Sequence, residues 1–339
     1  MLDDLRVALS SKGMFDARDP DSLEARLKER AEERKKKRLH LRDPALPVVD
    51  ASKFSQPLSV LAEAMTNRVE REGPRILTSS PIPVDTGIIL RQLTHTYDLL
   101  RFINGDETRH EDSRYRLSYS FVCLPLVRTM IDGFYNCTAL LDDRTRARSF
   151  RISGLYRKRE ALKADESKYG HEPAWQETLQ MSRKIYEDVM RIAGFTDADL
   201  DDKTNRWPLL GEYLNRGPST PHKAIIKRLT LGFWQQYSSI SHASFDGLLD
   251  IFSFIAIECI PHEQRASVHD AAERHLGMHF ARAAGLLLCL LTELQHFYKF
   301  DYVQIDERLS ELWAAMSPVV EVKEFYDLRY KNMLRRPMP

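Results

Sequence analysis

Arg128 occupies the position left open in an apolar stripe of Leu117, Phe121, Leu124, Ile131 and Tyr135. A guanidinium on a core-facing stripe is costly unless it meets a carboxylate or several acceptors, and Asp132, one turn later on the same face, is a ready partner. The pair could anchor an anionic ligand, or serve as a structural ion pair beside Pro125. A second apolar stretch carries Tyr237, Ser241 and His242. Ser238, His242 and Asp246 recur there one helical turn apart, with the residue types of a serine-histidine-aspartate relay. Side chains on one helix splay parallel to one another, no glycine-rich elbow is present, and no amide pair is identifiable as an oxyanion hole. His242 and Asp246 therefore read better as a local orienting pair than as catalysts.

His275 and His279, four apart, would share one side of a helix as helical metal sites require, but no HExxH pattern accompanies them and a third ligand would have to come from elsewhere. No metal or cofactor is expected. The segment Arg274-His275-Leu276-Gly277-Met278-His279 resembles the Arg-to-His motif of HEPN ribonucleases. That resemblance implies metal-independent RNA cleavage, with Arg274 stabilising phosphate and His279 in acid-base transfer. Five residues along a helix set the two side chains about 140° apart, so a bend or a second subunit would have to bring them together.

The run LPLVRTMIDGFYN, followed some 110 residues later by QQYSSISHASFDG, resembles an uncharacterised bacterial helical family labelled domain of unknown function, number five-six-seven-seven. The resemblance spans roughly residues 85–260. It implies an all-α domain in which an arginine and carboxylate of an early helix meet a tyrosine, serine and histidine of a later one. Here these are Arg128 and Asp132, then Tyr237, Ser241 and His242; Asp132 departs from the family's more usual glutamate. One buried binding site, or one network fixing helix register, would follow.

Two basic stretches could contact phosphates. Residues 26–42 hold nine Lys/Arg against three Glu, and residues 144–163 hold eight against Glu160 alone. In the second, Arg144, Arg146, Arg148, Arg151, Arg157, Lys158, Arg159 and Lys163 form a candidate nucleic-acid surface, giving affinity with little sequence choice. The alternative is a solvated helix face balanced by neighbouring acids. The whole chain carries a net charge of only +1, so attraction to RNA must come from such local patches.

Helical periodicity dominates, with no alternating strand pattern bounded by hairpin turns. The expected fold is all-α: a large multi-helix bundle with two long helices in the C-terminal half and a charged helical arm at the N-terminus. Residues 1–55 form the arm and its proline-marked linker, and residues 56–339 the domain. Helices are expected over 58–70, 86–104, 113–141, 145–168, 173–193 and 208–215, then from Pro221 to about Cys259 and from Pro261 to about Phe300, with two short ones to finish. The four cysteines sit in apolar helical stretches and read as reduced core residues. No secretory leader is evident and the longest apolar run is short for a bilayer span, so a soluble cytoplasmic protein that could form a homo-oligomer is expected. These features leave three functions open: a binding or interaction protein, an HEPN-like ribonuclease acting as a toxin or antiviral effector, and a scaffold that self-associates through its arm.

Overall fold

Leu58, Leu61, Ala62, Met65 and Val69 recur every three or four residues, which gathers them on one stripe of the first described helix, α1 (Ser55–Ile76), and turns them inward. The computed structural model describes residues 50–77, 80–105, 113–215, 217–229, 237–238, 241, 262–300 and 303–334. The expected arm helix and most of the expected helix after Pro221 lie outside them. The chain divides at Pro47–Val48, and every described residue belongs to the second unit.

The described residues form an all-α multi-helix bundle, with eleven α-helices and no strand. After α1 come α2 (Ile82–Gly105), α3 (Ser113–Asp142), α4 (Ala147–Tyr169), α5 (Gln176–Ala193), α6 (Asp197–Asp201), α7 (Leu210–Asn215) and α8 (Pro221–Leu229). The chain ends with α9 (His262–Tyr298), α10 (Val303–Met316) and α11 (Val320–Leu328). Helices α1, α2, α3 and α9 build the main core, with α9 laid most extensively along α3. Phe54 and Tyr97 both stack on Phe280 of α9, at ring-centroid distances of 5.9 and 5.5 Å. A smaller core of Ile152, Met190 and Leu200 joins α4, α5 and α6.

The middle of α9 is buried on every side, because Phe280, Ala281, Ala283, Ala284 and every residue from Leu286 to Leu291 are inaccessible. A helix without a polar face has to be wrapped. By length and composition Leu276–Tyr298 could cross a membrane, and 89% of its most apolar window is buried within the protein.

Several boundaries run past their expected ends. α1 continues through Pro74 in its last turn, at the loss of that residue's own ladder bond. α3 runs through Pro125 as expected and ends one residue later, at Asp142. The short α6 was not anticipated; it is nucleated by a capping box in which Thr196 and Asp199 satisfy one another's backbone amides. Short 3₁₀ turns, at Arg144–Arg146 and Pro173–Trp175, precede α4 and α5 where unbroken helices were expected.

Helices α2 and α3 approach closely at Gly133. A Cβ there would fall 2.5 Å from a methyl of Leu93, which is itself buried, so the crossing requires a residue without a side chain. Gly133→Ala should lower unfolding stability by about 1–3 kcal/mol in urea titration, the usual range for overpacking a core. Combining it with Leu93→Ala should cost less than the two single changes added, since the truncated leucine relieves the clash.

Candidate functional site

Three polar groupings interrupt the apolar packing. In the first, Arg282 donates from Nε and Nη2 to the two carboxylate oxygens of Glu321, both at 2.9 Å, and from Nη1 to the Tyr237 hydroxyl at 3.0 Å. The Tyr237 oxygen lies 2.8 Å from Nδ1 of His279. With its oxygen receiving the guanidinium, the hydroxyl has its own proton to give, which makes Nδ1 the acceptor and orders a chain from Glu321 through Arg282 and Tyr237 to His279. Burial lifts the Tyr237 hydroxyl to about 12 in spite of Arg282, so it stays protonated at neutral pH. Ser241 donates to the Tyr237 carbonyl at 2.6 Å.

The second grouping centres on Glu293, 3% exposed. Arg329 donates to both of its oxygens, and Nε2 of His222 lies 2.9 Å from Oε2. Nη2 of Arg329 also lies 2.9 Å from that ring nitrogen. Nε2 cannot donate to one group and accept from the other at once; the carboxylate carries a full charge, so it takes the N–H. Nδ1 of His222 faces Asp142 at 3.7 Å. Burial alone would raise the Glu293 carboxyl, but the hydrogen bonds from Arg329 and His222 outweigh it and hold it down to about 2.

The third is an open cleft of about 370 Å³ between α2 and α3. Asp85, Ile88, Ile89 and Gln92 supply one wall and Thr129, Asp132, Gly133 and Asn136 the other, each set at the i, i+3, i+4, i+7 spacing of a single helix face; Phe150 of α4 closes a side. Arg128 donates to Asp132 at 2.6 Å. Arg151 donates from Nε to both oxygens of Asp85, at 2.9 and 3.0 Å, and burial holds the Asp85 carboxyl above its ordinary range despite that contact. Asn136 accepts from the Trp207 indole at 2.9 Å, which leaves its amide hydrogens for other partners.

The expected site residues are thus distributed over two of these places. Asp132, paired with half-buried Arg128, belongs to the cleft, whereas Tyr237 and Ser241 belong to the first grouping; His242 lies outside the described residues. Arg274 is exposed while His279, five residues on, is 3% exposed and bonded to Tyr237, in keeping with their angular separation on a helix. Among the described residues no three His, Cys, Asp or Glu side chains gather as a metal site.

The basic stretch is extensively paired. Arg146 meets Asp143, Arg148 meets Asp199, Arg151 meets Asp85, Arg159 meets Asp197, Asp201 and Glu160, and Lys163 meets Glu160. Arg144 lies over the Phe297 ring, and Arg157 donates to the Ser153 carbonyl. Lys158 is exposed.

Sequence reasoning missed Arg282, Glu293, His222, Arg329 and Asp85. The first two had a signal, each being a lone charge in the most apolar stretch of the chain; the others are recruited from remote elements and had none. No family model, curated protein or solved structure matches the chain. The resemblances carried by LPLVRTMIDGFYN, QQYSSISHASFDG and RHLGMH rest on those residues.

Two measurements probe the buried groupings. A carboxyl that ionises more readily folded than unfolded contributes stability above its unfolded pKa and loses it as the pH falls through the folded one. Glu293 should therefore cost the protein about 3 kcal/mol of stability between pH 4.5 and 2, and Glu293→Gln should flatten that part of the acid limb in pH-dependent urea unfolding. Tyr237→Phe, which leaves Nη1 of Arg282 and Nδ1 of His279 without the hydroxyl, should destabilise by about 1–3 kcal/mol in thermal or urea unfolding.

Proposed function

We propose that this chain is a helical binding protein whose ligand is a small organic amine seated in the cleft between α2 and α3, its cationic end toward Asp132 and its apolar body toward Ile88, Ile89 and Phe150. The observation that carries the reading is the lining itself. Asp132, which accepts from Arg128 through Oδ1 and whose side chain is 43% exposed, shares an open cleft with Gln92, Thr129 and Asn136 on one hand and three large apolar side chains on the other, so an amine would share the carboxylate with that guanidinium. Its volume falls within the ~300–1,000 Å³ typical of small-molecule sites, and a few polar groups among apolar walls is their usual make-up. Of the two carboxylates in the lining Asp132 is the more exposed, and a protonated amine is the simplest donor group to meet it.

The nucleic-acid reading of residues 144–163 has less support. Five of its eight basic side chains already hold carboxylates of the same chain, so phosphates would have to displace Asp85, Asp143, Asp197, Asp199, Asp201 and Glu160 to engage them. Arg144, Arg157 and Lys158 are left to contact phosphates without that competition, fewer than the 6–10 contacts of a strongly salt-dependent binder.

Calorimetric titration with phenethylamine and with agmatine tests the cleft. Saturable binding with a Kd below about 1 mM is expected for at least one, weakened tenfold or more by Asp132→Asn. Absence of saturation with both amines, or affinity that Asp132→Asn leaves unchanged, would overturn the reading.

A further inference from the structure

The helix α5 is amphipathic over a wider arc than its neighbours cover. At 100° per residue, Leu179, Tyr186 and Met190 fall on one side, where Leu179 is buried and Tyr186 and Met190 pack with α4 and α6, while Met181, Ile185, Val189 and Ile192 fall within an adjoining arc of about 80°. Those four are 61, 51, 43 and 78% exposed. Single exposed apolar residues are ordinary, but four on one continuous helical stripe form a patch of the kind that marks an interaction surface.

The charges beside the stripe indicate what covers it. Glu177, Lys184, Asp188 and Arg191 all lie along one flank, with signs alternating along the helix. In a parallel pairing of two α5 helices this flank would face the partner's opposite flank, where Ser182 and Ala193 carry no charge to match it. In an antiparallel pairing about a two-fold axis at Ile185, the flank faces itself in reverse: Glu177 comes within two residues of Arg191 in the second copy, and Lys184 within two of Asp188, offsets of about 3 Å along the axis. The same axis sets Ile185 against itself and Met181 against Val189. The stripe is therefore self-complementary in shape class and in charge, as an isologous interface requires.

We propose that the exposed face of α5 is a self-association surface, occupied by α5 of a second copy of this chain in antiparallel orientation. One helix pair of this length buries on the order of 1,000 Å² in total, the size of a weak or transient interface, so the dimer should dissociate on dilution.

Sedimentation velocity of the full chain from about 1 to 200 μM tests this. A monomer–dimer equilibrium is expected, and Ile185→Glu should raise its Kd at least tenfold with the melting temperature unchanged, because Ile185 is already half exposed. Lys184→Glu should weaken the dimer, and adding Asp188→Lys should restore it. Under mild oxidation Ile185→Cys should cross-link two copies faster than Ile192→Cys, which in this register does not meet itself. A chain that stays monomeric throughout, whether the stripe is bare or covered by residues 1–47, overturns the proposal. So does a dimer indifferent to Ile185→Glu, or equal cross-linking at positions 185 and 192, which would mean a parallel pairing.

Discussion

A helix buried on every side can keep a charged or polar side chain only where a neighbouring element brings its partner, and α9 imposes that condition on the bundle around it. Apolar packing is non-directional and would tolerate several registers. The polar residues of α9 do not. Arg282 engages Glu321 on α11, and His279 engages Tyr237. Glu293 engages Arg329 beyond α11 and His222 on α8, and Thr292 accepts from the Trp313 indole on α10. Gln295 donates to the Phe300 carbonyl and to Asp306, closing the turn into α10. Each of these contacts ties one surrounding element to one level of the central helix, so slipping any of them by a turn would strand a buried donor or acceptor.

Much of this was legible in the sequence. The three- and four-residue periodicity of 58–70 and 113–141 is set by local backbone geometry, so those helices appear where expected. The Arg128–Asp132 pair was readable for the same reason, being one turn apart on one helix. Arg128 stood out as a charge among apolar neighbours, and Arg282 and Glu293, which lie deeper, are charges of the same kind in a still more apolar stretch. Their partners could not be read, because Glu321 is 39 residues from Arg282 and Arg329 is 36 from Glu293, and nothing local encodes such meetings. The cleft was half legible. Asp132 stood out, but Asp85, Gln92 and Phe150 gain their place only when α2 and α3 close at Gly133 and α4 folds across them. The pairing of residues 144–163 was half legible for a related reason, since Asp143 and Glu160 are local while the counter-charges on α2 and α6 are distant in sequence.

The two cores are held in different ways. Around α9 the buried apolar surface is extensive and polar groups serve as locks within it. The smaller core under α4 has three buried apolar side chains, and its attachment leans on surface-reaching pairs: Arg159 with Asp197 and Asp201, Arg148 with Asp199, and the Trp207 amide donating to Ser153 at 2.6 Å. Pairs exposed to water contribute modestly and weaken with salt.

That unequal division bears on the cleft. Two of its walls, on α2 and α3, belong to the thick core, and Phe150, though carried by α4, packs against that same core, while α4 beyond it rests on the smaller one. Elements with little buried surface open at lower free energy than the body that carries them. The cleft is thus anchored on all three sides, and amide exchange should run faster along α4 beyond Ile152 than at the turn that carries Phe150.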